Sequence, residues 1–231
     1  VTTPDAPISP DGEQRPTTPA QAWAALTAGN ARFVAGEPAH PSQGVAHRES
    51  LSSSQHPFAV IFGCSDSRLA AEIIFDQGLG DAFVVRTAGH VIDTTVIGSI
   101  EYGVEVLGTP LVVVLGHDSC GAVQAAITAL ETGEMPPGFV RAIVDRVIPS
   151  IMTRRSLESA FAFGPSHRPS GEAILREHVT NTTRTLTAYS QALANAVAEG
   201  RLAVVGVEYA LAEGRARLVA VQGDVGAEPE V

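Results

Sequence analysis

The sequence predicts an α/β fold: a central, mostly parallel sheet of four parallel strands plus an antiparallel edge strand, flanked by helices, with an N-terminal helical arm. Three observations lead there. Short runs rich in β-branched residues (59–63, 82–86 and 111–116) do not alternate polar with apolar, as strands buried on both faces do not. Helical patterns lie between them, notably 96–107 and 121–132. Strand and helix therefore alternate, which builds a parallel sheet covered on both sides.

Residues 1–18, with Pro4, Pro7, Pro10 and Pro16, carry no hydrophobic period and read as a disordered arm. A single domain is expected over 19–222. At its start Ala22, Trp23 and Leu26 recur at helical spacing, Phe33 and Val34 extend the stripe, and Gly36 with Pro38 ends it. This helix has more apolar surface than a lone surface helix needs. An excursion from Met135 to Gly171 holds a helix-like stretch, 139–152, and a Ser/Pro/Gly tract, 164–171. One long Ala-rich helix is expected from Glu172 to Glu199, then a strand at 202–207 and, after Gly214, a last strand at 216–221 suited to an antiparallel edge. The tail, 223–231, is expected to be loose.

The chain has 231 residues, 45% hydrophobic and 17% charged, a globular balance that excludes disordered, collagen-like and coiled-coil chains. No apolar run reaches the roughly 18 residues of a membrane span. The 15 basic residues are all Arg against 25 acidic ones, a net charge of -10, so the basic face that nucleic acid or an anionic membrane requires is not expected. Without Lys there is no Schiff-base chemistry. With two cysteines and no basic-then-apolar leader, a disulfide framework is not expected and a cytoplasmic location is.

Cys64 closes the first strand run, and Cys120 sits four residues beyond Gly116, which ends the third. Ligands in open α/β sheets bind at the carboxyl ends of strands, so both cysteines face one edge. His117 precedes Cys120 by three residues, and the two converge on one ion if the turn begins a helix. Two thiolates and one imidazole leave a fourth tetrahedral position open, the pattern of catalytic zinc, and sulfur with imidazole favours zinc over magnesium, calcium or manganese. Spacing alone leaves a second reading equally open: two buried thiols and a satisfied core histidine.

The run Cys64-Ser65-Asp66-Ser67-Arg68 tips the balance toward zinc. Two thiolates neutralise Zn²⁺ and weaken it as a Lewis acid, so a nearby hydrogen-bond acceptor is needed to bring the pKa of bound water toward neutrality. Asp66 is the candidate acceptor. A carboxylate beside thiolates tends to protonate unless a fixed cation holds it, and Arg68 supplies one. The other histidines, His40, His47, His56, His90, His167 and His178, read as ordinary surface or core residues, with His90 near the site through its place after Gly89.

Cys64-Ser65-Asp66-Ser67-Arg68, His117-Asp118-Ser119-Cys120-Gly121 and the intervening Phe83-Val84-Val85-Arg86-Thr87-Ala88-Gly89 resemble the motifs of the β-class carbonic anhydrases. The likeness runs from Gly29 to Val207. It implies reversible hydration of CO₂ to bicarbonate by zinc-held hydroxide, one Zn²⁺ per subunit on Cys64, His117 and Cys120, and a catalytic dyad of Asp66 and Arg68. Gln55, Phe83 and Tyr102 match the plant-like subgroup, in which these side chains reach the pocket from a neighbouring subunit. Ala88 and Gly121 then flank the substrate. The resemblance further implies a homodimer or homotetramer with active sites at the dimer interface, in which the N-terminal helices clasp a neighbour. Two departures are Thr87, where the family usually has Asn, and Ala88 at the flanking apolar position, which leave the pocket wall slightly smaller and polar. Two rival readings remain: the same zinc site acting on CS₂ or COS, and a zinc-organised binding module without activity, against which the open fourth position and the Asp66/Arg68 pair argue.

Overall fold

Strands β1 (Ala59–Cys64), β2 (Ala82–Thr87), β3 (Leu111–His117) and β4 (Ala203–Ala210) run parallel, and β5 (Arg215–Gln222) pairs antiparallel with β4. Their order across the sheet is β2-β1-β3-β4-β5. This is a computed structural model, and it describes residues 15–152 and 171–230. The predicted sheet is present, four parallel strands plus an antiparallel edge, each strand within a few residues of its expected bounds. Every residue of β1 and β3 is buried, which is why neither strand alternates. Val60, Val112 and Val204 stand side by side in register and are fully buried. Each such side chain contributes roughly 1.5–3 kcal/mol relative to exposure.

Helix α1 (Pro19–Ala35) starts at a capping box, with Gln21 donating its amide to the Thr18 hydroxyl, and stops at Gly36, whose φ of 73° a side chain would resist. Most of its apolar face is used within the chain, while Val34 at its end stays exposed. Ala22, Trp23 and Leu26 are buried in the chain's own core, and Asn30 ties the helix down by donating to the Ile74 and Gly214 carbonyls and accepting from the Ala216 amide. An amphipathic stripe reports only that a helix has an apolar face, and here the chain's own core covers most of it.

Two short helices, α2 (Val45–Ser50) and α3 (Ala71–Ile74), were not expected, being too brief to set up a period. The 96–107 helix is found as α4 (Thr94–Glu101), capped by Asp93 and continued by a wider π turn over Tyr102–Val106. Helices α5 (Gly121–Thr132) and α6 (Val140–Ile151) match expectation. The single helix over 172–199 is corrected to two, α7 (Gly171–Tyr189) and α8 (Gln191–Ala198). Ser190 separates them: its backbone is extended, its hydroxyl accepts the Leu193 amide as a new N-cap and donates to Glu101. The 164–170 tract, His167 and residues 1–14 of the arm lie outside the described residues. Past β5, Val225 is buried in the core and the Glu230 amide donates to the Leu218 carbonyl. Among the described residues no helix is long and apolar enough to cross a membrane.

Candidate metal centre and active site

Cys64 and His117 end neighbouring parallel strands, since Gly63 pairs with Leu115, and Cys120 follows three residues after His117 at the N-cap of α5. Between them Ser119 takes a φ of 52°, a left-handed turn that swings the chain back so that Cys120 returns to the strand end. The result is a buried trio: one ligand atom each from Cys64, His117 and Cys120, all within 4.8 Å of one another. Among the described residues it is the one such group of three His, Cys, Asp or Glu side chains.

Hydrogen bonding prepares each donor. The Asp118 carbonyl accepts from His117 Nδ1 at 2.7 Å, so Nδ1 carries the proton and the lone pair is on Nε2, toward the thiols. Asp118 is in turn held by the end of β4, its amide donating to the Tyr209 carbonyl and its carboxylate accepting from the Leu211 amide. His117 Nε2 is buried with no hydrogen-bond partner among the described residues. A buried nitrogen lone pair without a donor is costly unless something else occupies it.

The two thiols contend for one proton. The neighbouring Cys120 holds Cys64 below an ordinary thiol, against burial, with His117 and the amides of Asp66 and Gly89 helping. The same contact, together with burial, drives Cys120 upward. Burial pushes His117 down, yet the neighbouring Cys64 and Asp66 carry it above the usual imidazole value. The pocket thus favours positive charge. Two sulfurs, one imidazole nitrogen and a preference for a cation fit zinc, whose bonds to such ligands are about 2.0–2.3 Å.

Asp66 lies on the loop after β1, its Oδ2 3.8 Å from His117 Nε2. Arg68 holds it with two prongs, Nε to Oδ1 at 2.9 Å and Nη2 to Oδ2 at 2.8 Å, and the Arg68 amide adds a third bond to Oδ1. Arg68 therefore keeps the Asp66 carboxyl well below the usual carboxylate range, with burial opposing. Arg86, quoted in the motif but given no role from sequence, braces this loop: it donates to the backbone carbonyls of Cys64 and Asp66 at 3.0 and 2.6 Å. Ala88 is exposed in the turn before Gly89, and Gly121 is exposed at the start of α5, each chain-adjacent to a residue at the trio.

Gln55, Phe83 and Tyr102 lie elsewhere in the single chain. Phe83 pairs with Val60 near the start of the strands, whereas Cys64 pairs with Thr87 at their end, a separation of roughly 13 Å along the sheet. Phe83 and Tyr102 stack with ring centroids 6.0 Å apart, and Gln55 and Tyr102 line an open groove with Leu51, Leu79 and Val106 beside the edge strand β2. One chain therefore does not bring these three to the trio.

A family model described as carbonic anhydrase matches residues 59–216, which span both cysteine motifs. The chain belongs to the β-class carbonic anhydrases. It is 57% identical over 210 residues to a carbonic anhydrase of Mycolicibacterium smegmatis, covering 91% of this chain and 98% of that one. It is 56% identical over 212 residues to carbonic anhydrase 2 of Mycobacterium tuberculosis, covering 92% and 98%. Among solved structures it resembles a tetrameric β-carbonic anhydrase from Sordaria macrospora, with a TM-score of 0.65 and 25% identity over 86% of this chain and 96% of that chain. β-Class carbonic anhydrases are zinc-dependent lyases that hydrate CO₂, and the Cys64, His117 and Cys120 group is compatible with zinc.

Proposed function

We propose that this carbonic anhydrase hydrates CO₂ at a zinc ion held by Cys64, His117 and Cys120, with Asp66 and Arg68 as its catalytic dyad. The observation that carries the reading is the pairing of Asp66 with Arg68 beside the trio, with Asp66 Oδ2 3.8 Å from His117 Nε2. When bound, zinc supplies Lewis acidity that brings deprotonation of water toward neutral pH. Arg68 keeps Asp66 an anion, so its carboxylate remains an acceptor in a pocket where two thiolates would otherwise push a proton onto it. Asp66 then accepts a hydrogen bond from the attacking water and turns an oxygen lone pair toward CO₂; one O–H bond of the water breaks as the C–O bond forms, its proton leaves to buffer, and bicarbonate is the product. Arg86 keeps the Asp66 backbone from drifting while this happens.

The substrate side of the pocket comes from a second copy. Phe83 lies on the edge strand β2, Tyr102 stacks on it and Gln55 shares a groove with Tyr102, and in a dimer joined along β2 the three meet the partner's metal centre. Gln55 then orients a substrate oxygen while the rings of Phe83 and Tyr102, with Ala88 and Gly121 opposite, form an apolar slot sized for CO₂. This is the plant-like arrangement, and the tetrameric relative from Sordaria macrospora favours an oligomer of two or four chains. The test is stopped-flow CO₂ hydration with zinc quantified in the same sample: one zinc per chain and activity lost in Asp66→Asn support the reading, and full activity in Asp66→Asn ends it.

A further inference from the structure

Behind Cys64 lies a line of buried hydrogen bonds that the roles above do not use. The Gly89 amide donates to Cys64 Sγ at 3.2 Å, and the Gly89 carbonyl lies 2.8 Å from His178 Nε2 on α7. A carbonyl only accepts, so Nε2 carries the proton. The His178 ring is buried, and burial lowers its affinity for a second proton, which leaves Nδ1 a bare acceptor. Ser150 Oγ sits 2.8 Å from that Nδ1 and donates to it, while accepting from Asn181 Nδ2 at 3.1 Å. Three side chains on two helices thus fix one tautomer and one ring orientation.

Packing leaves the ring no alternative place. His90 stacks on His178 with centroids 4.3 Å apart. Helix α7 approaches so closely that a Cβ on Gly116 would lie 2.4 Å from Val179, the neighbour of His178. On its other side Gly89 abuts α5: a Cβ there would meet the Ala122 methyl at 2.6 Å, and its φ of 65° already requires glycine. Glycine is the residue whose backbone wanders most freely, and this one carries the amide aimed at a metal-ligating sulfur.

We propose that His178 is a positioning residue for the metal centre: by holding the Gly89 carbonyl it keeps the Gly89 amide on Cys64 Sγ. This rests on the assignment of Cys64 as a zinc ligand. The amide and the carbonyl of Gly89 belong to different peptide units, so His178 works by pinning the turn, not by passing polarisation through a conjugated bond. An N–H donated to a ligating thiolate draws electron density off sulfur and leaves the ion a stronger Lewis acid. Loss of the His178 contact frees the turn, weakens that bond and weakens the ion as an acid.

The test uses the full-length protein substituted with cobalt(II), whose thiolate-to-metal absorption reports electron density on sulfur. His178→Leu is expected to shift that band to longer wavelength, to release metal to a chelator about ten-fold faster, and to move the midpoint of the pH–rate profile alkaline. His178→Gln, which presents an amide N–H near the place of Nε2, is expected to restore band and midpoint. A folded His178→Leu with the wild-type band and midpoint overturns the proposal. If His178→Leu does not fold, His178→Phe takes its place: it keeps a ring in the packing and removes the Nε2 donor to the Gly89 carbonyl, and an unmoved band and midpoint overturn the proposal equally. Wild-type protein without any thiolate band brings down the Cys64 assignment itself, and this proposal with it.

Discussion

Arg68 grips Asp66 from two residues away, Nε on Oδ1 and Nη2 on Oδ2, at 2.9 and 2.8 Å. The pair is half exposed at the guanidinium, so its worth to stability is small, and its consequence is chemical: the carboxylate stays charged beside the buried sulfurs. Asp66→Asn keeps the shape and loses the anionic acceptor. Zinc content is expected to stay at one per chain while kcat/KM for CO₂ hydration falls by about a hundred-fold or more. Stopped-flow hydration alongside metal analysis checks both halves.

Removing the metal has its own signature. With a cation bound, both sulfurs of the trio are engaged, and a chelator frees a pair of thiols that share one proton, with Cys64 the more acidic of the two. Chelation is therefore expected to abolish activity, to make the Cys64/Cys120 pair reactive toward an alkylating reagent at neutral pH, and to be reversed by added zinc. Cys64→Ser is expected to hold no zinc and show no activity. Alkylation mapped by mass spectrometry before and after chelation reads the first effect.

A site shared between copies predicts complementation. Asp66→Asn and Gln55→Ala subunits are each expected to be impaired alone. In a mixed dimer one of the two sites combines an intact Asp66 with the partner's intact Gln55, so equal mixing recovers about a quarter of wild-type activity. Activity measured after joint refolding and after simple mixing of folded proteins checks this, and no recovery in the refolded sample contradicts a shared site.

Asp76 predicts how the fold responds to acid. Its buried carboxylate accepts from Arg32 Nε at 2.6 Å and from the amides of Ala39 and His40 at 2.8 and 2.9 Å. Burial alone raises its pKa, and the three donors outweigh burial and lower it. A lowered carboxyl pKa contributes stability that is complete above the unfolded value of about 3.9 and fades as pH falls through the folded one. Asp76→Asn is expected to cost about 3 kcal/mol at pH 7, because an amide turns an N–H toward donors. The gap to wild type is expected to narrow below about pH 4, read from urea midpoints at both pH values.

Much of this molecule is legible without coordinates. Unbroken apolar runs in β1 and β3 announce strands covered on both faces, and cysteines at the ends of such strands announce a site, because the carboxyl edge of a parallel sheet is where loops converge. The motifs around Cys64 and His117 point to the three side chains that come together as a possible metal site and to the Asp66 and Arg68 pair beside them, since the residues of each motif are close together in the chain. Where the reading failed, the cause was competition between local pattern and distant contact. The helical period of 172–199 is continuous, yet Ser190 breaks it by capping a new helix and reaching Glu101. The stripe of α1 is apolar, yet only the fold says that Ala22, Trp23 and Leu26 go to the chain's own core while Val34 stays exposed.

The sequence by itself determined the strands and the family motifs, each set by residues within a few positions of one another, and pointed to Cys64, His117 and Cys120 as candidate ligands on two separate motifs. The tertiary structure alone decided which of the named residues meet. It put Asp66 next to His117, set Gln55, Phe83 and Tyr102 some four strand residues away along the sheet, and carried His178, 114 positions after Cys64, to the back of its sulfur through Gly89. A histidine on the buried stripe of a helix looks like any core residue in one dimension, because what it touches depends on how closely α7 settles on the sheet at Gly116, and that distance is a property of packing in three dimensions.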